Sequence, residues 1–223
     1  MPLSFDGSDD YLSTTSIGSG ALTGITASAW VYDTGNSGDG IRVACARMIA
    51  DHDDYSQWLI GRNGSNWIVR CLDDDTSSHE CSSAASFNTW VHLCMTVANN
   101  GTMYLYVNGV QTDTDDFSGE TIHSTNEPET VGARDKNDTI QSFYLGRIHD
   151  VRVYNRQMNA VEVLNLYTSR GRDKDYYGLL LRWQLSDNTT GTATSVKETG
   201  PSQLTVTVSS SPAWIYSGVL RIA

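Results

Sequence analysis

Residues 87–107 decide the fold, and they read FNTWVHLCMTVANNGTMYLYV. Apolar and polar side chains alternate on both sides of Ala98–Gly101, and alternation with a period of two is typical of β-strands that bury one face. Ala-Asn-Asn-Gly is a turn signal, so the stretch predicts an antiparallel hairpin. Residues 25–32 (ITASAWVY) alternate in the same way and predict another strand.

Shorter runs predict further strands along the whole chain, separated by turn residues. They lie at 3–6, 11–14, 42–49, 56–60, 67–72, 142–154, 178–185, 204–208 and 213–216. One helix is predicted over 160–169, where Asn159 and Glu162 form a capping-box-like start. Many short strands with one helix are typical of a β-sandwich or barrel.

The charge of the chain argues against two classes of partner. The 223 residues include 26 acidic and 15 basic side chains, for a formal net charge of −11. Nucleic acid and anionic membrane surfaces would repel such a chain, so we expect neither as a partner. The acidic runs at 51–54, 73–75 and 113–116 are predicted to lie in solvated turns.

The first residues and the cysteines bear on export of the chain and on the redox state of its thiols. The opening MPLSFDG lacks the basic and apolar regions of a signal peptide, and we expect synthesis without export. Cys45, Cys71 and Cys94 lie in apolar runs, where a thiol packs as a small hydrophobe, whereas Cys81 lies in a predicted polar loop. We expect reduced thiols, with Cys71–Cys81 as the pair that would form a disulfide if one exists.

Four motifs, in this order, resemble those of one known family. They are LSFDGSDDYL at 3–12, ITASAWV at 25–31, WVH with LYVNG across 90–109, and YLGRIHDVRVYNR at 144–156. This set resembles the laminin-G-like domains of the concanavalin A-like lectin/glucanase superfamily. The resemblance implies an all-β jelly-roll sandwich of two antiparallel sheets with one short helix.

The C-terminal residues resemble strands that precede the LSFDG motif in that family. They read LLRWQL at 180–185, VKETGPSQL at 196–204 and PAW at 212–214. Their position at the end implies a circular permutation, which is plausible because domain termini often lie close together. We predict a single domain, 1–223, in which 178–216 complete the sandwich, and similar permuted chains occur in phages.

The acidic residues do not follow the catalytic pattern of this superfamily. Its glycosidases alternate acids on one strand, so that two carboxylates reach one face at catalytic separation. Here Glu120, Glu127 and Glu129 lie around Pro128 without such alternation. We therefore expect no enzymatic activity.

The resemblance implies a calcium site at Asp6 and Asp150, because the family binds calcium near these two motifs. Carboxylate oxygens suit a hard cation. His149 stands where the family has an acid. The alternative is that Asp6 supports its turn and Asp150 bonds the backbone.

Carbohydrate binding needs exposed aromatic rings beside polar groups. Trp58 and Trp67 are the candidates, with Asp53 in a nearby acidic loop. The alternative is that both rings pack inside the sandwich. Trp30, Trp90 and Trp183 match core positions of the family.

Two functional hypotheses follow. The first is a phage virion protein, such as a capsid decoration, cement or head-fibre-like module, which contacts capsid proteins or further copies of itself. The second is a carbohydrate-binding adhesion module on a virion, at a cell surface or outside the cell. A polysaccharide-degrading enzyme is a minor alternative.

Overall fold

The computed structural model describes residues 2–17, 22–35, 40–49, 56–136, 139–174, 176–185, 191–192, 199–201, 205–210 and 212–214. The elements in chain order are β1 (Leu3–Asp6), β2 (Tyr11–Thr14), β3 (Gly24–Asp33), β4 (Ile41–Met48), β5 (Ser56–Asn63), β6 (Asn66–Leu72), β7 (Ser78–Ala84), β8 (Trp90–Ala98), β9 (Gly101–Val107), β10 (Val110–Phe117), β11 (Glu129–Val131), β12 (Arg134–Lys136), β13 (Thr139–Gln141), β14 (Leu145–Tyr154), α1 (Ala160–Ser169), β15 (Leu179–Trp183), β16 (Gly191–Thr192), β17 (Val206–Ser209) and β18 (Ala213–Trp214).

Two antiparallel sheets form the body of the molecule. The nine-stranded sheet has the order β10-β9-β8-β3-β14-β1-β18-β16, with β15 also paired to β14, and the seven-stranded sheet has the order β17-β2-β11-β4-β5-β6-β7. The predicted hairpin at 87–107 is β8 and β9, with Leu93 opposite Val107. The two-sheet sandwich with one helix that the sequence predicted is confirmed.

The C-terminal strands hydrogen-bond to both sheets. β15 pairs with the second half of β14, after the part of β14 that pairs with β1. β18 pairs with β1, and β17 pairs with β2. The side chains of Leu181, Trp183 and Leu185 enter the same apolar core as Phe5 and Leu12. Residues from the two ends of the chain therefore share one interior.

Between the sheets lies the main core, which follows from the alternation of each strand. Ile25, Ala27, Ala29 and Val31 of β3 point inward and are fully buried. The even-numbered neighbours on β3 point to the outer face of the nine-stranded sheet. Helix α1 packs against that outer face, where Val163 and Leu166 join a second apolar cluster.

Helix α1 begins and ends where the sequence predicted. The Asn159 side chain accepts hydrogen bonds from the backbone N–H groups of Val161 (3.0 Å) and Glu162 (3.1 Å). The Glu162 carboxylate accepts one in return from the Asn159 N–H at 2.9 Å. These bonds satisfy backbone donors that a helix start leaves without a partner. Within the described residues, no helix has the length and apolarity needed to cross a bilayer.

The structure corrects the prediction that residues 113–116 form a solvated turn. They belong to β10, and the carboxylates of Asp113 and Asp115 cover the free edge of β7. Asp113 Oδ2 accepts a hydrogen bond from the Ser82 N–H at 2.8 Å, and Asp115 Oδ2 accepts one from the Glu80 N–H at 3.1 Å. These side chains therefore close one side of the sandwich, where an open strand edge would invite pairing with another chain.

The cysteines are all free and buried. Cys81 lies on β7 rather than in a polar loop, and it points into the main core. Across β6 and β7, Cys71 faces His79, whereas Cys81 faces Val69. Diagonal neighbours of this kind lie about 7–8 Å apart, which is beyond ordinary disulfide reach.

Candidate functional site

The aromatic residues predicted to bind sugar lie inside the protein. Trp58 on β5 and Trp67 on β6 are each 1% exposed and belong to the main core. A ring enclosed by apolar neighbours offers no face to a sugar, so the structure corrects their assignment as a binding platform. Asp53, the third predicted residue, lies outside the described residues.

The predicted calcium pair is not brought together by the fold. Asp6 faces Leu145 across β1 and β14. Asp150 lies five residues further along β14, which corresponds to about 16 Å in a strand. The predicted two-residue site is therefore corrected.

Asp150 has a different role from the one expected of a calcium ligand. Its carboxylate accepts hydrogen bonds from Arg152 Nη2 at 2.7 Å and Arg182 Nε at 2.9 Å, and the residue is 4% exposed. Its backbone is left-handed, with φ of 49°, where the pairing of β14 with β3 shifts register. Asp150 therefore stabilises an irregular strand and neutralises two buried guanidinium groups.

Asp6 belongs instead to a cluster of three carboxylates at the β1–β2 turn. One ligand atom from each of Asp6, Asp9 and Asp10 lies within 4.8 Å of the others. Asp6 Oδ1 accepts a hydrogen bond from the Ser8 N–H at 2.8 Å, and Asp10 Oδ2 accepts one from the Asp6 N–H at 3.0 Å. These bonds hold the turn in a shape that gathers the three acids.

Gly7 allows this turn to lie close to β14. Its φ is +79°, and a Cβ there would lie 2.9 Å from the Cβ of Leu145. A larger residue would be strained and would push the turn away from the sheet. The spacing of the acids around Gly7 was visible in the sequence, although only Asp6 was selected.

The carboxylates line a cleft of about 380 Å³ at the end of the sandwich where β1 turns into β2. Its lining also includes Ser4 of β1 and, from the C-terminal residues, Ser210 and Ala213. Carboxylate oxygens bind hard cations and accept hydrogen bonds from hydroxyl groups, and serine hydroxyls both donate and accept. The cleft is therefore suited to calcium and to polyhydroxylated ligands.

A row of side chains leads from this cleft across the outer face of the nine-stranded sheet. Trp90 faces Tyr32, Tyr32 faces Arg147, and Arg147 faces Ser4. The rings of Trp90 and Tyr32 lie 5.8 Å apart edge to face, and the Arg147 guanidinium stacks over Tyr32 at 5.0 Å. We call these four residues the outer row, and sequence analysis did not find it.

The other tryptophans predicted as core residues are all buried, as expected, but they lie on the two faces of the nine-stranded sheet. Trp183 lies in the main core, as predicted. Trp90 and Trp30 lie on the outer face, where Tyr167 of α1 stacks on Trp30 at 5.5 Å. Trp90 is 9% exposed at the start of the outer row. Helix α1 therefore covers Trp30 on this face, and the outer row lies beside the part that the helix covers.

Two buried titratable groups lie away from the cleft. Burial raises the pKa of Glu129 to about 7, although Arg47 Nε lies 3.3 Å from its carboxylate. Burial also lowers the pKa of His92 to about 4. Glu129 begins strand β11 rather than lying in a loop, and it is 0% exposed. A carboxylate so enclosed is in no position to act on a polysaccharide.

Comparisons with known proteins agree with this architecture. A family model described as the concanavalin A-like lectin/glucanases superfamily, Laminin_G_3, matches residues 6–164. No curated protein matches the chain.

Several solved structures share the fold. A candidate carbohydrate-binding protein from Bacteroides ovatus superposes with a TM-score of 0.71 at 13% identity, covering 99% of this chain and 61% of that one. A heptameric SAP-like pentraxin from Limulus polyphemus has a TM-score of 0.59 at 15% identity, covering 74% and 81%. The binding domain of botulinum neurotoxin serotype G has a TM-score of 0.52 at 18% identity, covering 74% and 40%. These similarities establish a common fold.

Proposed function

Because the chain belongs to the concanavalin A-like lectin/glucanases superfamily, we propose that it is a non-enzymatic carbohydrate-binding module. The ligand would bind at the cleft beside the β1–β2 turn. The observation that carries this proposal is the lining of that cleft, where three carboxylates and two serines present oxygen atoms at one end of the sandwich.

The chemistry of the cleft supports a sugar as ligand. Sugar hydroxyls donate hydrogen bonds that carboxylates accept, and serine hydroxyls satisfy the remaining donors and acceptors. The outer row adds aromatic rings on the same face, with Tyr32 two strands and Trp90 three strands from Ser4, and aromatic rings with a few polar groups are the usual composition of a small-molecule site. The similarity to a candidate carbohydrate-binding protein along 99% of this chain also supports the proposal.

Calcium is the proposed cofactor of the same cleft. The carboxylates of Asp6, Asp9 and Asp10 would hold the ion, because hard cations prefer several oxygen ligands and these lie within 4.8 Å of one another. A bound ion would offset the mutual repulsion of three carboxylates and would attract sugar hydroxyl oxygens. Asp150 would take no part, since its carboxylate is held by Arg152 and Arg182.

A glycan array tests the proposed function directly. The wild-type chain should bind a defined set of glycans, and Asp9→Asn should weaken this binding because Asp9 is exposed in the cleft. Asp116→Asn is the matched control, since Asp116 is also exposed but lies on β10. Absence of binding to any glycan, or equal binding by the two variants and the wild type, would refute the proposal.

A second candidate is the virion decoration protein, which would act through protein contacts. It is favoured by exposed apolar side chains near one end of α1, namely Val161 (67% exposed), Leu164 (45%) and Val110 (63%). The β9–β10 turn meets the helix there, because a Cβ on Gly109 would lie 3.1 Å from Leu164 Cδ1. Apolar groups gathered in this way are typical of protein interfaces.

Copurification tests this second candidate. A decoration protein should bind purified capsids in a fixed ratio, or associate with itself in light-scattering measurements, and Leu164→Asp should abolish that association. Capsid binding that persists in Leu164→Asp would exclude this surface as the contact.

A further inference from the structure

Arg147 occupies an unusual electrostatic position in the outer row. It is half-buried, and its guanidinium lies over the ring of Tyr32 at 5.0 Å. Among the described residues, no carboxylate lies within ion-pair distance of it. A chain with 26 acidic and 15 basic residues has carboxylates in excess, so the missing partner is not explained by composition.

The buried arginines of the same protein behave differently. Of the five arginines that are buried among the described residues, four have a carboxylate within 3.3 Å, in the pairs Arg47–Glu129, Arg62–Asp33, Arg152–Asp150 and Arg182–Asp150. Fully buried charges are normally paired, because removal from water is costly without compensation. Arg147 is only half-buried, and no carboxylate of the described part of the chain pairs with it, so its N–H groups can donate to an anionic ligand.

We propose that Arg147 binds the carboxylate of an acidic sugar, a uronic acid or a sugar acid of similar chemistry. The proposal rests on the carbohydrate-binding function above and assigns the class of ligand. The planar guanidinium offers parallel N–H donors that match the two oxygens of a carboxylate. Its contact with the Tyr32 ring, 5.0 Å from Cζ to the ring centre, restricts where that donor edge can point.

The neighbouring groups favour one orientation of such a ligand. Ser4 lies opposite Arg147 on β1, and Ser4 also lines the acidic cleft. A sugar acid has a negative group at one position and hydroxyl donors at others. With its carboxylate at Arg147, its hydroxyls would point toward Ser4 and the carboxylates of the cleft, which accept hydrogen bonds. In the opposite orientation the carboxylate of the sugar would face the carboxylates of the cleft and be repelled by them.

The aromatic end of the outer row supplies a small apolar contact, since Tyr32 is half-buried and Trp90 is 9% exposed. Trp90 packs edge to face with Tyr32 on the side away from Ser4. The C–H face of a sugar ring packs favourably on such rings, while its polar substituents are bound elsewhere. The outer row therefore offers an apolar surface, one cation and hydroxyl-binding groups in sequence across four adjacent strands.

The first experiment compares sugars that differ only at C6. Glycans of glucose, galactose and mannose are arrayed beside their uronic acids and 6-sulfated forms, and binding of the full chain is measured. We expect at least one uronic acid to bind more tightly than both its neutral and its sulfated counterpart. A stronger signal from the neutral or sulfated member of every set would overturn the carboxylate assignment.

The second experiment measures the affinity for the best uronic acid by calorimetry. Arg147→Gln should bind it about tenfold to a hundredfold more weakly, the loss expected for one charge-assisted contact. Binding of the matching neutral glycan should change little. Arg147→Lys keeps the charge but not the paired donors, and it should lose less affinity. Arg172→Gln is the control, since Arg172 is exposed after α1.

The outcomes separate this inference from the proposed function. If neutral glycans bind and Arg147→Gln and Arg147→Lys leave every affinity unchanged, the chain is a lectin and the Arg147 assignment is wrong. If no glycan binds the wild type, both proposals fall. Circular dichroism of each variant establishes that it is folded, and Arg147→Lys decides the result if Arg147→Gln does not fold.

Discussion

Acidification should destabilise the protein through His92, and the structure allows the size of the effect to be worked out. His92 is 2% exposed and packs beside Trp30 at 5.1 Å. Its Nδ1 has no hydrogen-bond partner among the described residues. Burial lowers its pKa from 6.5 to about 4. The folded state therefore resists protonation at a pH where the unfolded chain accepts a proton.

The sign and size of this effect follow from proton linkage. A group whose pKa is depressed in the folded state contributes stability that is complete above the unfolded pKa and is lost as the pH falls toward the folded pKa. The window is therefore pH 6.5 to about 4. Each pKa unit corresponds to roughly 1.4 kcal/mol, so the wild type should lose about 3 kcal/mol of unfolding free energy across this window through His92.

Urea unfolding, followed by tryptophan fluorescence at pH 7 and at pH 4, measures this loss. His92→Phe keeps an aromatic ring in the same place but does not titrate, so its unfolding free energy should fall by about 3 kcal/mol less than that of the wild type. His92→Asn is a second variant without a titrating ring and should show the same reduced pH dependence. Equal pH dependence in the wild type and both variants would refute the reasoning.

Three further predictions concern the buried acid, the C-terminal strands and the cleft. The pKa of Glu129 is raised from 4.5 to about 7, so its effect on stability has the opposite sign to that of His92. The stability that Glu129 contributes below pH 4.5 is lost as the pH rises through 7, a loss of about 3 kcal/mol. Urea unfolding of Glu129→Gln should lack this loss. Trp183→Ala removes a fully buried ring from the main core and should lower the unfolding free energy by about 3–5 kcal/mol; a loss below about 1 kcal/mol would mean that the C-terminal strands do not share the core. Calcium should raise the melting temperature of the wild type by binding the folded state, and the rise should shrink in Asp9→Asn; equal shifts in the two proteins would place the ion elsewhere.

Local patterns in the sequence were sufficient for most secondary structure. The hairpin at 87–107, strand β3 and helix α1 all came from short-range signals, namely alternation, turn residues and a capping box. Strands β7 and β10 were missed because their polar, acidic residues do not alternate with apolar ones. Each takes its strand structure from backbone pairing with a neighbouring strand, β7 with β6 and β10 with β9.

The candidate site could be predicted only in part. The acids at 6–10 lie within one turn, so their proximity is a property of the chain itself. Trp58 and Trp67 were chosen because tryptophan is a common sugar-binding residue, but the side of the sheet to which a ring points depends on strand register. The four cysteines show the same limit. Burial was predicted correctly for Cys45, Cys71 and Cys94 but not for Cys81, and the distance between any two thiols could not be predicted from the sequence.

The sequence by itself determined that this chain forms antiparallel strands around an apolar interior, because alternation and turn chemistry act between near neighbours. Only the tertiary structure decided that Trp90, Tyr32, Arg147 and Ser4 form one row, because they come from four strands whose register no local pattern encodes. It also decided that Arg147 meets no carboxylate among the described residues, while Arg47, Arg62, Arg152 and Arg182 do. Charge pairing depends on distance in space, and a list of residues contains no such distances.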